Sequence, residues 1–241
     1  MLCFGVDISD NDISCSDELI MDVQRSLDRI YSVGASIVRL TNITGDDIVV
    51  TAVVDDDNDV PRVNKAIYDV LCGCARGFDD LNGVSDDESS AGEGISYVEV
   101  ELNPDFLPDA VIVSFDTYCG ESFVGKVADD AMHAAMGLDY VGSVGNSVVD
   151  GVREIPGLGF VSSETDDPVV VASVLNVDYV GVVAGAMIGA ILGNKNTYLV
   201  RRGTVADVIP GSVIFTVTAL MNGNVIDLSE HFSYRFRLLK G

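Results

Sequence analysis

In the first hundred residues, segments with the hydrophobic pattern of a β-strand alternate with segments that have the hydrophobic period of an α-helix. Four short runs rich in β-branched residues have the pattern of strands; they are residues 2–8, 35–43, 48–54 and 95–102. Between these runs, apolar residues recur with the helical period after Ser16 and again after Pro61. The order β-α-β-β-α-β predicts a ferredoxin-like domain over residues 1–103, in which two helices cover one face of an antiparallel sheet. The short Gly/Asp connection at residues 44–47 predicts a hairpin between the second and third strands.

The second half of the chain is richer in strand-like runs. Strands are predicted at residues 110–116, in short pieces over 139–175, at 197–202 and at 212–221, and a helix is predicted through Lys126 to Met136. Prolines next to Asn103 indicate a boundary there, so we expect a strand-rich α/β domain over residues 104–241 and an α+β chain overall. A β-α-β-β order in this half resembles the first half, but too few residues match to claim a duplication.

Residues 178–193, DYVGVVAGAMIGAILG, carry a glycine at every fourth position. Gly181, Gly185, Gly189 and Gly193 would lie on one face of a helix, where a second backbone can approach closely. Each interior glycine lowers the stability of a helix by about 1 kcal/mol relative to alanine. We therefore expect close packing of the glycine face to compensate for this loss. This spacing predicts a buried glycine-faced helix, or one that contacts a second copy of the chain.

The apolar stretch at residues 169–193 is about as long as a membrane-spanning segment, but polar residues interrupt it. Asn176 and Asp178 lie near its middle, and no Lys/Arg-rich flank orients it. We therefore predict no membrane span, and instead a buried strand at residues 168–175, a turn, and the glycine-faced helix.

The net charge of the chain is strongly negative. There are 38 Asp and Glu residues against 14 Lys and Arg, which gives a net charge of −24 and a pI near 4.1. A chain this acidic repels nucleic acid, so DNA or RNA binding is not expected. Two interpretations stay open: an acidic surface that keeps the protein soluble, of the halophilic kind, or a surface that binds cations such as Ca²⁺ or Mg²⁺.

Cysteine usage and the N-terminus favour a cytoplasmic protein. The five cysteines are odd in number and include no C-x-x-C pair, so neither a zinc site nor a disulfide scaffold is expected. The first residues, MLCFGVDISDND, have no basic segment and are not typical of a signal peptide.

Two candidate catalytic motifs lie around the predicted turn after residue 116. Residues 120–126, GESFVGK, match the first seven positions of a P-loop, but Val127 stands where the motif needs a hydroxyl. Cys119 could be activated at the same turn, with His133 as its base. The two residues would be about 20 Å apart along one helix, so they cannot meet within it.

Acidic loops offer only weak metal-ligand patterns. Asp55, Asp57 and Asp59 resemble the start of a calcium loop, but Val60 and Ala66 occupy the positions of its glycine and glutamate. We therefore predict no metal site and no cofactor, and only weak divalent-cation binding at these acids or at residues 86–88.

A locally basic patch closes the chain and is the second candidate interface. It comprises His231, Tyr234, Arg235 and Arg237, with Arg201 and Arg202. These side chains could meet the acidic surface of a neighbouring copy, or they could protect an edge strand.

Since no set of polar residues converges on a site, the sequence favours a non-catalytic, self-associating structural protein. Such a protein would be a homo-oligomer, as in a shell or a virion, with an interface formed by the four glycines together with Arg235 and Arg237. The alternative is a cytosolic enzyme or ligand-binding regulator with its site near Cys119 and Lys126, between the two domains.

Overall fold

Strands that are buried on both faces lie at the centre of the molecule. The computed structural model describes residues 1–10, 12–77, 80–92, 94–118, 121–147, 152–162, 165–205 and 210–230. Within these residues two sheets pack face to face, and their neighbouring strands are antiparallel except for one parallel pair at the edge of the second sheet. Each sheet carries a pair of α-helices on its outer face. The predicted α+β class is confirmed.

The N-terminal half contains four strands and two α-helices. They are β1 (Leu2–Asp7), α1 (Asp17–Leu27), β2 (Ala35–Thr44), β3 (Asp47–Val54), α2 (Val60–Cys74) and β4 (Ser96–Glu99). The strands lie in the order β2-β3-β1-β4, and each neighbouring pair is antiparallel. Ser16, after which the helical period of the sequence begins, caps α1, because its hydroxyl accepts a hydrogen bond from the Leu19 N–H at 3.2 Å.

The second half contains eight strands and two α-helices among the described residues. They are β5 (Ala110–Thr117), α3 (Glu121–Met136), β6 (Val141–Asn146), β7 (Val152–Ile155), β8 (Gly159–Ser162), β9 (Val169–Val174), α4 (Val180–Leu192), β10 (Thr197–Leu199), β11 (Val213–Met221) and β12 (Asn224–Asp227). The main sheet has the order β10-β11-β5-β9-β6, with β12 on β11, and β7 and β8 form a separate hairpin.

Alternate residues of the central strands belong to different apolar layers. In β1, Leu2, Phe4 and Val6 pack with α1 and α2, whereas Met1 and Cys3 point to the other sheet. The same alternation holds in β3, β5 and β9. We call the layer between the sheets the inter-sheet layer; it comprises Met1, Cys3, Val49, Val53, Val98, Val100, Ala110, Ile112, Val169, Val171 and Leu220. Because both faces are buried, the central strands read as continuous apolar runs.

The two halves repeat one arrangement. Along the chain, β5, β6, β9 and β11 correspond to β1, β2, β3 and β4, with α3 and α4 in the places of α1 and α2. The spatial order β6-β9-β5-β11 is then the same as β2-β3-β1-β4. Residues 46–54 and 166–174 also match at an offset of 120 residues, with identical residues at six of nine positions. Each segment runs through a strand and a short 3-10 turn into a helix. The chain therefore carries an internal repeat, although few residues outside this segment match between the halves.

The predicted burial of the glycine face of α4 is wrong. The helix packs on its sheet through Val183, Met187 and Ile191, among other apolar residues. Gly181 and Gly189 lie on the exposed side, and a Cβ added at either would meet nothing within 4 Å. The physical reason is that valine, methionine and isoleucine bury far more apolar area than glycine does.

The region predicted as strand, turn and helix has that structure. Residues 169–193 divide into β9, a 3-10 turn capped by Asn176, and α4, which has 13 residues. Among the described residues, no helix has both the length and the hydropathy needed to cross a bilayer.

The closeness of the two sheets gives a stability prediction. A Cβ on Gly5 would lie 2.6 Å from Val169 Cγ2 across the inter-sheet layer and 3.1 Å from Ser96 Cβ. We expect Gly5→Ala to lower the free energy of unfolding by about 1–3 kcal/mol, because the neighbours of Gly5 are buried and stiff. Urea denaturation measures the change.

Gly189→Ala is the matched control for this substitution. The same methyl group added on the open side of α4 should raise stability by about 0.5–1 kcal/mol through helix propensity. Equal stability of the Gly5→Ala variant and the wild type would show that the sheets are not packed this closely.

Candidate functional site

Four central strands each place an aspartate at the same end of the sandwich. Asp7 ends β1 and lies opposite Asp47, the first residue of β3, in the antiparallel register. Asp116 lies near the end of β5, and Asp167 lies two residues before β9. Asp167 accepts a hydrogen bond from the Thr117 N–H at 2.9 Å, which holds it beside β5.

The alternation along the strands turns three of these aspartates towards the other sheet. Asp7 is in step with Cys3, and Asp116 is in step with Ile112. Asp47 is likewise in step with Val49 of the inter-sheet layer, whereas Asp167 lies in the bent segment just before β9. Together with the preceding residues Asp46 and Asp166, they form what we call the aspartate cluster: Asp7, Asp46, Asp47, Asp116, Asp166 and Asp167.

Three members of the cluster form a compact buried group. Carboxylate oxygens of Asp46, Asp47 and Asp116, one from each residue, lie within 4.8 Å of one another, and all three residues are buried. We call these residues the buried trio. Asp47 Oδ1 and Asp116 Oδ2 are buried without a hydrogen-bond partner. Among the described residues, no Lys, Arg or His forms an ion pair with the trio.

The environment of the trio favours protonated carboxyl groups. Burial raises the pKa of Asp46 to about 8, with further contributions from the charges of Asp7 and Asp116. Burial also raises the pKa of Asp116 to about 7, and the charges of Asp7 and Asp166 raise it further. The pKa of Asp47 is raised well above its usual value by burial first, and then by Asp167 and the other carboxylates.

Local hydrogen bonds fix the segments that carry the cluster. The Ser9 N–H donates to Asp7 Oδ1 at 3.0 Å. The Cys15 thiol donates to the Asp46 carbonyl at 3.1 Å, so the loop after β1 is tied to the β2–β3 turn. That turn is the predicted hairpin, and Gly45 supplies its positive φ of 61°.

Next to the turn, a buried polar network joins the two sheets. Thr44 Oγ1 and Thr216 Oγ1 are 2.6 Å apart, and Asn42 Nδ2 donates to Thr216 Oγ1 at 3.0 Å. The Thr218 hydroxyl donates to Asn42 Oδ1 at 2.9 Å. These bonds cross between β2 and β11, so they hold the aspartate-bearing hairpin in register with the second sheet.

A donor set made only of carboxylates suits hard cations. Carboxylate oxygens are the usual ligands of Mg²⁺, Mn²⁺ and Ca²⁺, whereas zinc and copper sites use His or Cys. His133, on α3, is exposed and bonds through Nδ1 to the Asp129 carbonyl at 2.8 Å, so it is not part of this group.

The P-loop interpretation is wrong. α3 begins at Glu121, so Gly125 and Lys126 lie inside the helix instead of at its start. Lys126 Nζ is exposed and donates to Asp130 and to Asn194 Oδ1, the latter at 3.2 Å. Cys119, its proposed neighbour, lies outside the described residues.

The basic patch divides into residues with internal partners and residues outside the described chain. Arg201 pairs with Glu230 at 3.0 Å. Arg202 donates to the carbonyls of Leu40 and Thr41 at 2.9 and 2.8 Å, at an irregularity in the pairing of β2 with β3. Arg202 therefore ties β2 to the second half instead of facing a neighbouring copy.

The remaining patch residues, His231, Tyr234, Arg235 and Arg237, lie outside the described residues. The interface prediction for Arg235 and Arg237, and for Gly181, Gly185, Gly189 and Gly193, stays a prediction.

The acidic loops identified from the sequence have structural uses. Asp56 Oδ1 accepts the Asn58 N–H at 2.9 Å and caps the turn before α2. Asp87 Oδ1 accepts the Ser89 N–H at 3.0 Å in the same way. Weak cation binding at residues 55–59 or 86–88 stays a prediction.

Sequence reasoning missed the aspartate cluster, although a signal for it exists. Asp46-Asp47 and Asp166-Asp167 precede matching Val-rich strands at the 120-residue offset. An aligned repeat with a conspicuous acidic pair at the start of each strand would have placed both pairs at one end of the sheets.

The chain belongs to the family described as uncharacterised conserved protein UCP005278, whose model matches residues 1–236. It is 52% identical over 236 residues to an uncharacterized protein of Methanothermobacter thermautotrophicus, which covers 98% of this chain and 96% of that one. It is 41% identical over 228 residues to an uncharacterized protein of Methanocaldococcus jannaschii, which covers 95% and 94% respectively.

Three solved structures also match, each over 94% of this chain. A "putative monooxygenase" from Fusobacterium nucleatum has 8% identity and a TM-score of 0.35 over 93% of its length. One from Lactobacillus acidophilus has 10% identity and a TM-score of 0.31 over 94%. An anthrone oxidase-like protein has 8% identity and a TM-score of 0.32 over 95%.

These comparisons correct the function expected from the sequence. The prediction of a non-catalytic structural or self-assembling protein, such as a shell or virion component, was wrong, since the matching structures are described as enzymes. The relatives are described only as uncharacterized.

The raised pKa values predict how stability depends on pH. Between the ordinary aspartate pKa of 3.8 and the raised values of about 7 and 8, the folded protein holds more protons than the unfolded chain. In buffer free of divalent cations, the free energy of unfolding should therefore fall by about 2 kcal/mol or more between about pH 5 and pH 8. Urea denaturation at a series of pH values measures the decline.

Two variants test whether the buried trio causes this decline. Asp116→Asn removes one buried charge, so its decline should be smaller and it should be more stable than the wild type near pH 8. Asp86→Asn makes the same charge change on an exposed loop and should keep the wild-type slope. A wild-type stability that rises over this range would contradict the prediction.

Proposed function

We propose that this protein is a divalent-cation-dependent enzyme with the aspartate cluster as its active site. The observation that carries the proposal is the buried trio: carboxylates of Asp46, Asp47 and Asp116 within 4.8 Å, two of them with an unpartnered buried oxygen. Burying a charge without a partner costs several kcal/mol. A bound cation supplies the partner that these oxygens lack.

The chemistry of the donors favours Mg²⁺, Mn²⁺ or Ca²⁺. Such a cation polarises a bound oxygen of the substrate and lowers the pKa of bound water. The trio holds the cation, and the fixed ends of four strands set the position of its ligands. Sites held by rigid elements of this kind give the precise geometry that catalysis needs.

Burial decreases across the aspartate cluster. Asp166 and Asp167 are half-buried, whereas the trio is buried. The cluster therefore extends from the inter-sheet layer towards the surface on the side of Asp166. This gradient of burial supports a site that a cation and a small substrate enter from that side.

This proposal keeps the enzyme alternative drawn from the sequence and moves its site. Asp116 precedes Cys119 by only three residues, so the region is the one expected. The proposed functional groups are the carboxylates, however, because Lys126 forms an ion pair with Asp130 on the outer helix layer.

We also propose that both halves are ferredoxin-like and that the domain boundary lies between residues 103 and 104. The strand orders β2-β3-β1-β4 and β6-β9-β5-β11, with antiparallel neighbours, support this assignment. Because buried strands of both halves share the inter-sheet layer, we expect the two domains to unfold together.

Cation binding is the first test of the proposed function. Mn²⁺ at about 100 times its dissociation constant should stabilise the protein by about 2.7 kcal/mol, and should raise the melting temperature by about 5 °C or more. Asp47→Asn and Asp116→Asn should weaken binding at least about tenfold, whereas Asp105→Asn, on an exposed loop away from the predicted cation-binding acids, should bind as the wild type does. Calorimetric titration and thermal melts at constant ionic strength measure both effects.

Turnover is the second test. A panel of ester, amide and phosphate substrates is assayed with Mg²⁺ or Mn²⁺, and activity should disappear both in EDTA and in Asp47→Asn. Cation binding without turnover of any substrate would favour the regulator alternative. No cation binding by the wild type, or equal binding by Asp47→Asn, would overturn the proposal.

A further inference from the structure

We propose that a pocket between the edges of the two sheets binds an α-amino acid with an apolar side chain. We call it the edge pocket; it has a volume of about 390 Å³, and its lining includes Val98, Glu99, Val144, Val152 and Arg153. Ligand pockets in proteins have volumes of about 300–1,000 Å³, so this one suits a small ligand. The inference goes beyond the proposed function and does not depend on it.

The edge pocket lies apart from the aspartate cluster. β4 is the end strand of the first sheet and β6 is an end strand of the second. The Ser143 hydroxyl on β6 donates to the Glu101 carbonyl beyond β4 at 2.5 Å, so the two edges meet there. Glu99 pairs with Leu2 at the start of β1, whereas Asp7 ends that strand. At about 3.3 Å per residue, the two places are roughly 16 Å apart along β1.

The first argument is that two opposite charges line the edge pocket without pairing with each other. Among the ion pairs of the described residues, none contains Glu99 or Arg153. An arginine without an acidic partner is unexpected in a chain with 38 acidic and 14 basic residues. A zwitterionic ligand between the two side chains gives each of them an opposite charge.

The second argument is that the Glu99 carboxylate is already held in position. Asn64 Nδ2 donates to the Tyr97 hydroxyl at 3.2 Å, and that hydroxyl donates to Glu99 Oε2 at 2.9 Å. Because the Asn64 amide nitrogen can only donate, the Tyr97 proton is directed at the carboxylate. Glu99 Oε1 is left to accept hydrogen bonds from the ammonium group of a ligand.

The third argument is the state of the Arg153 guanidinium. Its Nη1 donates to the Tyr97 carbonyl at 2.6 Å, and its central carbon lies 5.1 Å from the centre of the Tyr97 ring. These contacts fix the planar group, but among the described residues Nε and Nη2 have no hydrogen-bond partner. Two adjacent N–H groups of an arginine form a fork that matches the two oxygens of a carboxylate. Arg153 therefore supplies the site for the carboxylate of an amino acid.

The backbone of β4 adds a second set of groups for the same ligand. The carbonyls of Tyr97 and Glu101 accept hydrogen bonds from Arg153 and Ser143, so they face away from β1. Alternate residues of a strand direct their backbone groups to the same side, so the N–H and C=O of Glu99 also face the edge pocket. Extended ligands add to a free strand edge through such groups. A bound amino acid can accept from this N–H through its carboxylate.

The apolar part of the lining indicates the side chain of the ligand. Val98, Val144 and Val152 contribute methyl groups to the edge pocket, and Val152 is 41% exposed. An aliphatic side chain that covers them removes apolar surface from water, which favours binding. The pocket thus provides for the ammonium, the carboxylate and the side chain of an apolar amino acid.

The test is a calorimetric titration of the full chain with L-valine, L-leucine, L-isoleucine and L-methionine in EDTA. At least one of them should bind with one molecule per chain and should raise the melting temperature. The analogue of the tightest binder that lacks the amino group, and the one that lacks the carboxylate, should each bind at least about tenfold more weakly, because each loses a charge-assisted contact.

Two variants assign the binding to the edge pocket. Glu99→Gln should weaken the amino acid at least about tenfold but leave the affinity of the analogue without the amino group unchanged. Arg153→Lys keeps the charge and loses the planar fork, and it should weaken both ligands. Glu101→Gln and Arg29→Lys make the same changes at exposed positions and should bind as the wild type does. Melting curves without ligand show whether each variant is folded.

The inference is overturned if none of the four amino acids binds, or if Glu99→Gln binds the amino acid as tightly as the wild type does. Binding that requires Mn²⁺ and is lost in Asp47→Asn would place the ligand at the aspartate cluster and would also overturn it. The first two results leave the proposed function intact, since that function is tested by cation binding and turnover.

Discussion

The close packing of two sheets through their inner faces is the constraint on which the rest of the structure depends. Each central strand contributes side chains to two apolar layers, one that packs against its own helices and one that packs against the other sheet. This requirement explains the continuous Val-rich runs of β3 and β9. It also explains Gly5, where any side chain would displace Val169 of the opposing sheet.

The same constraint makes the aspartate cluster unusual. An aspartate at the end of an exposed strand is solvated and costs little, but these strands end inside a sandwich, so the carboxylates of the buried trio lose water without gaining a described cationic partner. This loss of water is the main reason why the pKa values of Asp46 and Asp116 are raised. The negative charge of the chain thus has two components: many exposed acids that keep it soluble, and a few buried acids whose position needs another explanation.

Much of the fold was predictable because local patterns decide it. Ser16 and the turn at residues 44–47 act through the nearby backbone, so the helix and the hairpin that they define were predicted at the observed places. Which face of α4 is buried depends on the elements that pack beside the helix. Residue spacing alone could not show that the larger side chains of Val183 and Met187 would face the sheet. The site was not predicted because its members are distant in sequence, and only the meeting of β1, β3, β5 and β9 brings Asp7, Asp47, Asp116 and Asp167 to one place.

The internal repeat bears on whether the cluster is functional. A single buried acidic pair could be tolerated as a local defect, offset by the large apolar core. Here the pairs at residues 46–47 and 166–167 occupy matching positions in two halves whose other residues differ at many positions. The second sheet also contributes Asp116, and carboxylate oxygens of Asp46, Asp47 and Asp116 lie within 4.8 Å of one another, so residues of both sheets share the electrostatic cost in one small volume. Folding brings the carboxylates together at an electrostatic cost. A cation that binds to the folded protein does not have to provide this free energy, so its affinity is higher than it would be for carboxylates that are not already in place.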